Sequence, residues 1–166
     1  MISWISEVRR PQKSMRDSYA ADRKNNAMPI LYPHVEECDL DAASVVTRWM
    51  DCVNAGDVAG VTSLYADHAV LLPTFSPHTI HTAEKRLEYF NSLASRKGLQ
   101  VSLHPKTVRV TSLSDTVKVA CGIYRFSFEV DDEPLTFEAR FSFAINITKP
   151  HPIKHHHSSQ VPRTLG

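Results

Sequence analysis

The chain has 166 residues, with 19 Lys plus Arg against 18 Asp plus Glu and a formal charge of +1. That balance excludes a general nucleic-acid binder, which needs a basic surplus to displace counterions. A chain of this length buries about 70% of its unfolded surface, so it can fold without disulfides or metal.

The five glycines, Gly56, Gly60, Gly98, Gly122 and Gly166, fit neither Gly-x-Gly-x-x-Gly nor Gly-x-x-x-x-Gly-Lys. Both common ways of cradling a nucleotide phosphate on bare backbone are therefore excluded. Cys38, Cys52 and Cys121 are odd in number and unpaired in spacing, as expected for a reduced, cytoplasmic protein. Apolar runs of only a few residues predict no membrane span.

Residues 1–40 differ from the rest. Arg9, Arg10, Lys13, Arg16, Arg23 and Lys24 crowd their first part, and Pro29 and Pro33 break any helix. The segment is a poorly ordered leader, or an arm that docks on a protein partner through Trp4, Ile5 and Val8. From Asp41 the pattern becomes regular. Asp41 caps a helix with Val45, Val46, Trp49, Cys52 and Val53 on one face. Gly56 stops it, and Asp57 caps a short second helix carrying Val58, Val61, Leu64 and Tyr65. A strand over His68–Phe75 follows. Thr82 then caps a third helix with Leu87, Phe90 and Leu93 inward and Arg96 and Lys97 in its last turn.

The period then changes to two. Strands are predicted over Val101–Leu113, Val117–Val130, Leu135–Thr148 and Ile153–Ser159, joined by short polar turns. The class is α+β: three N-terminal helices packed on a strongly bent antiparallel sheet. The domain spans 41–162 and a tail spans 163–166. One sheet face carries Tyr124, Phe126, Phe128, Phe141 and Phe143, and the other Arg125 and Arg140. Several aromatics in water would exceed what a monomer tolerates. These five are therefore expected to form a homodimer interface, with the arginines facing an internal pocket that grips a small anion. The alternative is that helices cover the aromatics and the arginines face solvent.

The last strand reads Ile153-Lys154-His155-His156-His157-Ser158-Ser159-Gln160-Val161-Pro162. Three consecutive histidines on a strand cannot chelate one metal, and no other ligand spacing occurs, so neither metal nor cofactor is expected. The ending His-His-His-Ser-Ser-x-x-Pro, after Ala-Arg-Phe-Ser-Phe at 139–143, resembles the association (hub) domain of calcium/calmodulin-dependent protein kinase II. Within that group it is most similar to the iota-class carbonic anhydrases. Leu71-Leu72-Pro73-Thr74 and Glu88-Tyr89-Phe90 add to the likeness. The resemblance covers about residues 41–162 and implies the nuclear transport factor 2-like (SnoaL-like) cone. It also implies dimerisation, with larger rings in the kinase hubs. Arg125 and Arg140 match two hub-pocket arginines, and a third falls on Ser158.

Three functions stay open. The first is an iota-type, metal-free carbonic anhydrase, a lyase interconverting carbon dioxide and bicarbonate. Thr74, Tyr89 and Ser159 (or Ser158) would hold anion or water, His157 or His155 would carry the proton, and Arg125 and Arg140 would stabilise charge. Trp49, Leu72 and Phe90 would line the pocket, or simply pack the core. The second is a non-catalytic, homo-oligomeric module binding a small anion. The third is another cofactor-free enzyme with Glu138 as base.

Overall fold

The computed structural model describes residues 32–35 and 39–162. The expected docking arm, Cys38 and the last four residues lie outside or almost wholly outside that range. Helix α1 (Leu40–Asn54) begins one residue before the expected cap, with Asp39 at the N-cap and Asp41 in the first turn. Gly56 takes the left-handed φ of 65° expected of it. Asp57 caps α2 (Val58–Ser63) by accepting the Gly60 N–H at 2.7 Å. Strand β1 is Tyr65–Leu72, earlier than its pattern suggests. Thr82 caps α3 (Ala83–Ala94), which ends before Arg96 and Lys97.

The predicted first strand of the second half is two pieces. Strand β2 (Gln100–Leu103) and β3 (Arg109–Ser112) flank a 3₁₀ turn at Pro105–Thr107, where Pro105 removes a ladder donor. Strands β4 (Val117–Val130) and β5 (Glu133–Asn146) form a hairpin, and β6 is Ile153–Gln160. The β4–β5 connection is Asp131-Asp132, both at positive φ (52° and 63°). Aspartate tolerates that conformation, and it matches the twist of the strands. The sheet order is β1-β6-β5-β4-β2, with β3 also on β4. It is mixed rather than wholly antiparallel, because β1 lies parallel to β6.

The bent sheet wraps its concave face around the helices, giving the expected α+β cone. That face is the aromatic one. Tyr124, Phe126, Phe128, Phe141 and Phe143 are all at most 4% exposed within a single chain. Trp49 of α1 stacks on Tyr124 at 5.6 Å and meets Phe143 edge-on at 5.7 Å. The expected homodimer interface is therefore corrected: these rings are the core, and a curved sheet lets its own helices cover what a flat one would leave exposed. Lys118, at the far end of β4, pairs with Asp39 at 2.9 Å and ties the sheet to the start of α1.

In α3 the inward residues are Arg86, Phe90 and Leu93, while Leu87 is outside at 47% exposure. Arg86 hydrogen-bonds the carbonyls of Ala66, Asp67 and Ala69 on β1 at 2.8–3.0 Å. A guanidinium can be buried when its forked donors find such acceptors. Among the described residues no helix is long and apolar enough to cross a membrane.

Candidate functional site

The position of each histidine follows from one irregularity in β6. Ile153 pairs with Ile145 and His155 with Ala144, so Lys154 has no opposite number on β5. This bulge shifts the period by one residue. His156 and Ser158 turn inward beside Ile153, at 2% and 5% exposure. His155, His157 and Ser159 turn outward. Straight alternation from Ile153 would give the opposite result. The expected His157, His155 and Ser159 therefore lie on the outer side, while the alternative Ser158 lies inside together with His156, which was not expected there.

The inward residues form a hydrogen-bonded chain. Trp49 Nε1–H donates to Tyr65 Oη at 2.9 Å, and Tyr65 Oη lies 2.7 Å from His156 Nδ1. Indole nitrogen only donates, so Tyr65 must direct its own proton to His156 Nδ1. Burial, helped by neighbouring His155 and His157, holds the His156 pKa well below the ordinary 6.5. The ring is therefore neutral with its proton on Nε2. That proton faces Tyr124 Oη at 3.3 Å, and Tyr124 donates to Ser158 Oγ at 2.5 Å. Ser158 also hydrogen-bonds Thr74. Followed donor to acceptor, the chain runs Trp49, Tyr65, His156, Tyr124, Ser158, and within the Ser158–Thr74 pair either hydroxyl can donate to the other. One hydroxyl proton of that pair is left to point at whatever lies beside it. Burial raises the hydroxyl pKa values of Tyr65, Tyr124 and Tyr89, so all three stay protonated.

Of the other expected residues, Thr74 and Ser158 meet each other, and Tyr89 interacts electrostatically with Tyr124. Phe90 packs between Tyr65 and Tyr89 at 5.7 and 5.2 Å as core. Leu72 pairs with His157 on the outer side. Arg125 and Arg140 do not line the interior; both are exposed on the convex face. Arg125 Nε holds Glu138 at 2.7 Å, His104 Nε2 holds its other oxygen at 2.7 Å, and Arg140 reaches Ser159 at 3.5 Å. Partial burial pushes the Glu138 carboxyl up, but hydrogen bonds from Arg125 and His104 outweigh it and leave it below its usual pKa. It is thus a poor general base, against the third expectation. Sequence reading missed Tyr65 and His156 as site residues and gave Tyr124 to an interface. The bulge at Lys154 is what turns His156 inward, and one residue type does not announce a bulge; Tyr65 reads in sequence as part of the second helix but begins β1.

A small hollow between the helices is lined by Cys52, Val53, Val61, Phe90, Leu93 and Leu99. None of the hydroxyl chain lines it. Among the described residues, no three His, Cys, Asp or Glu side chains come together as a metal-holding group.

A helix-filled cone with a polar strand ending at its mouth has counterparts. A family model for the SnoaL-like domain matches residues 42–164. The chain belongs to the SnoaL-like domain family. The SnoaL-like cone superposes on a crystal structure from Xanthomonas campestris described as a calcium/calmodulin-dependent protein kinase II association domain. The TM-score is 0.67 and identity 25%, over 75% of this chain and 88% of that one. No curated protein matches the chain.

Proposed function

We propose that this SnoaL-like domain interconverts carbon dioxide and bicarbonate at the Tyr124–Ser158–Thr74 end of the inner chain. The observation that supports this is the direction of the hydrogen bonds. Trp49 can only give, so each group as far as Tyr124 passes a donor onward, and one hydroxyl of the Ser158–Thr74 pair is left as a donor to a ligand. Donors fixed in advance favour the form of a substrate that carries more charge on oxygen, which is bicarbonate and the transition state leading to it. Water adds to carbon as one carbon–oxygen double bond becomes an anionic oxygen, and the released proton leaves to solvent or buffer. His156 orients Tyr124 in this reading and does not take the proton, because its buried ring resists protonation. No cofactor is assigned a role.

A carbon dioxide hydration assay, with and without chelator, tests the reading. Wild type should be active, Ser158→Ala should lose about 10²-fold or more in kcat, as for other oxyanion donors, and Ser159→Ala should keep full rate. Inactivity in both conditions, or an active Ser158→Ala, would overturn it. A second reading has its own support. Among the described residues, every fully buried side-chain nitrogen and oxygen already has a partner, as suits a non-catalytic association module. Such a module would self-associate through a surface other than the aromatic one. Light scattering over a concentration range should then show an oligomer without hydration activity.

A further inference from the structure

Arg96 was expected in the last turn of α3, but it lies two residues beyond that helix. There its guanidinium sits 4.6 Å from the ring centre of Phe75 and 4.3 Å from that of Phe128. Two aromatic faces hold the plane of a cation in place while leaving its N–H edge uncovered. Among the described residues that edge has no hydrogen-bond acceptor and no carboxylate. Glu129, the residue after Phe128, is taken by Lys97 at 2.6 Å. The backbone is fixed as well: Glu129 N–H bonds the Lys97 carbonyl at 2.8 Å, and Gly98 makes the turn at φ 67°. Arg96 is therefore held between two rings and half-buried, with guanidinium donors that no group among the described residues uses and that an anion can take in place of water.

Its location gives the anion a place. Phe75 follows Thr74 directly and packs on Phe126, Phe128 and Phe137 at 5.1–5.5 Å. Phe126 in turn meets Tyr124 at 4.9 Å. The C-terminal ends of β1, β4 and β6 and the start of β5 share this end of the cone, which also carries Thr74 and Ser158. Tyr89, whose hydroxyl has no partner among the described residues, feels both Arg96 and Tyr124 electrostatically. We propose that Arg96 is the anion-capturing residue of this site, presenting its free guanidinium edge, with the Tyr89 hydroxyl, to a small planar oxyanion of the bicarbonate or carboxylate class. The inner face thus has an arginine after all, supplied by the loop after α3 and not by the strands. This rests on the inner-site reading above, but it concerns binding and not turnover.

The experiment measures equilibrium binding of bicarbonate and of acetate by calorimetry, with chloride as control, to wild type, Arg96→Gln, Arg96→Lys and Arg140→Gln. Thermal melts confirm that each variant is folded. Arg96→Gln should weaken binding of both oxyanions at least tenfold. Arg96→Lys, which keeps charge but loses the fork and the ring stacking, should fall between. Arg140→Gln should bind like wild type. Wild-type-like binding by folded Arg96→Gln, equal loss in Arg140→Gln, or no oxyanion binding by wild type would each overturn the proposal. Arg96-dependent binding in a protein without hydration activity supports it while sinking the enzymatic reading. Hydration activity with oxyanion binding indifferent to Arg96 does the reverse.

Discussion

The two faces of β6 carry the same residue types in different physical roles. His156 lies 3.9 Å from Phe143 in a stacked pair, bonded at both nitrogens and sealed from water. His155 and His157, one position away on either side, face the convex surface. Ser158 is locked between Tyr124 and Thr74, whereas Ser159 only meets Arg140 at 3.5 Å. Chemistry alone does not separate these pairs. Their difference is burial, and a single bulge at Lys154 decides which member is buried. If that comparison is right, matched substitutions on the two faces should diverge sharply.

The largest divergence belongs to the aromatic core. Phe143→Ala removes a fully buried ring that touches Trp49, Phe141 and His156. It should cost about 3–5 kcal/mol in urea unfolding, as large-to-small core changes do. Arg140→Ala, on the convex face, should stay within about 0.5 kcal/mol of wild type. Equal losses would mean that Phe143 is not enclosed by its own chain. Next comes Arg86. Arg86→Met keeps much of the apolar stem but strips donors from three β1 carbonyls. Leaving buried acceptors unsatisfied costs roughly 1–3 kcal/mol each where water cannot reach them. A loss of about 3 kcal/mol is expected, and a neutral result would show that water replaces the guanidinium.

These two residues also mark where the sequence was readable. Periodicity located the helices, their Asp57 and Thr82 caps, the β4–β5 hairpin and the aromatic face, because those signals are local. Which side the helices cover is not local. It depends on sheet curvature, and the expectation that the aromatic face needs a second copy to cover it pointed the wrong way. Arg86 was passed over in favour of Leu87 because a charged residue on a helix normally marks the wet face. Three free carbonyls at the irregular part of β1 reverse that, and nothing in the helix itself reports them. Thr74, Tyr89 and Ser158 were legible only through motif likeness, and His156 was hidden by the bulge.

A smaller effect tests His156 through pH. The folded chain keeps this ring neutral to lower pH than the unfolded chain, whose histidine titrates near 6.5. Below about 6.5 the unfolded state therefore binds the extra proton, and stability falls as pH falls toward the folded pKa. Above 6.5 the contribution is fully present. The slope from this one proton can reach about 1.4 kcal/mol per pH unit. His155 is shifted the same way by partial burial and by His157, so wild type alone would not isolate the effect. The difference between wild type and His156→Phe, measured between pH 5 and 7, should. Parallel curves would mean that His156 titrates as it does in the unfolded chain, and a difference of opposite sign would mean that it is charged in the fold.

The smallest effect is expected where the sequence pointed to a pocket. Arg125 and Glu138 face each other across β4 and β5 and make a 2.7 Å contact, and His104 adds a second at 2.7 Å. Geometry of that quality buried in a cavity would be strongly coupled. Here the Arg125 side chain is 48% exposed and that of Glu138 36%, so water solvates both charges and salt screens them. A double-mutant cycle of Arg125→Ala and Glu138→Ala should give a coupling of about 0.2–1 kcal/mol, shrinking further in 1 M salt. A coupling of several kcal/mol that ignored salt would show that the convex face is covered in solution. That result would revive self-association, now through the arginine side of the sheet and not through the rings.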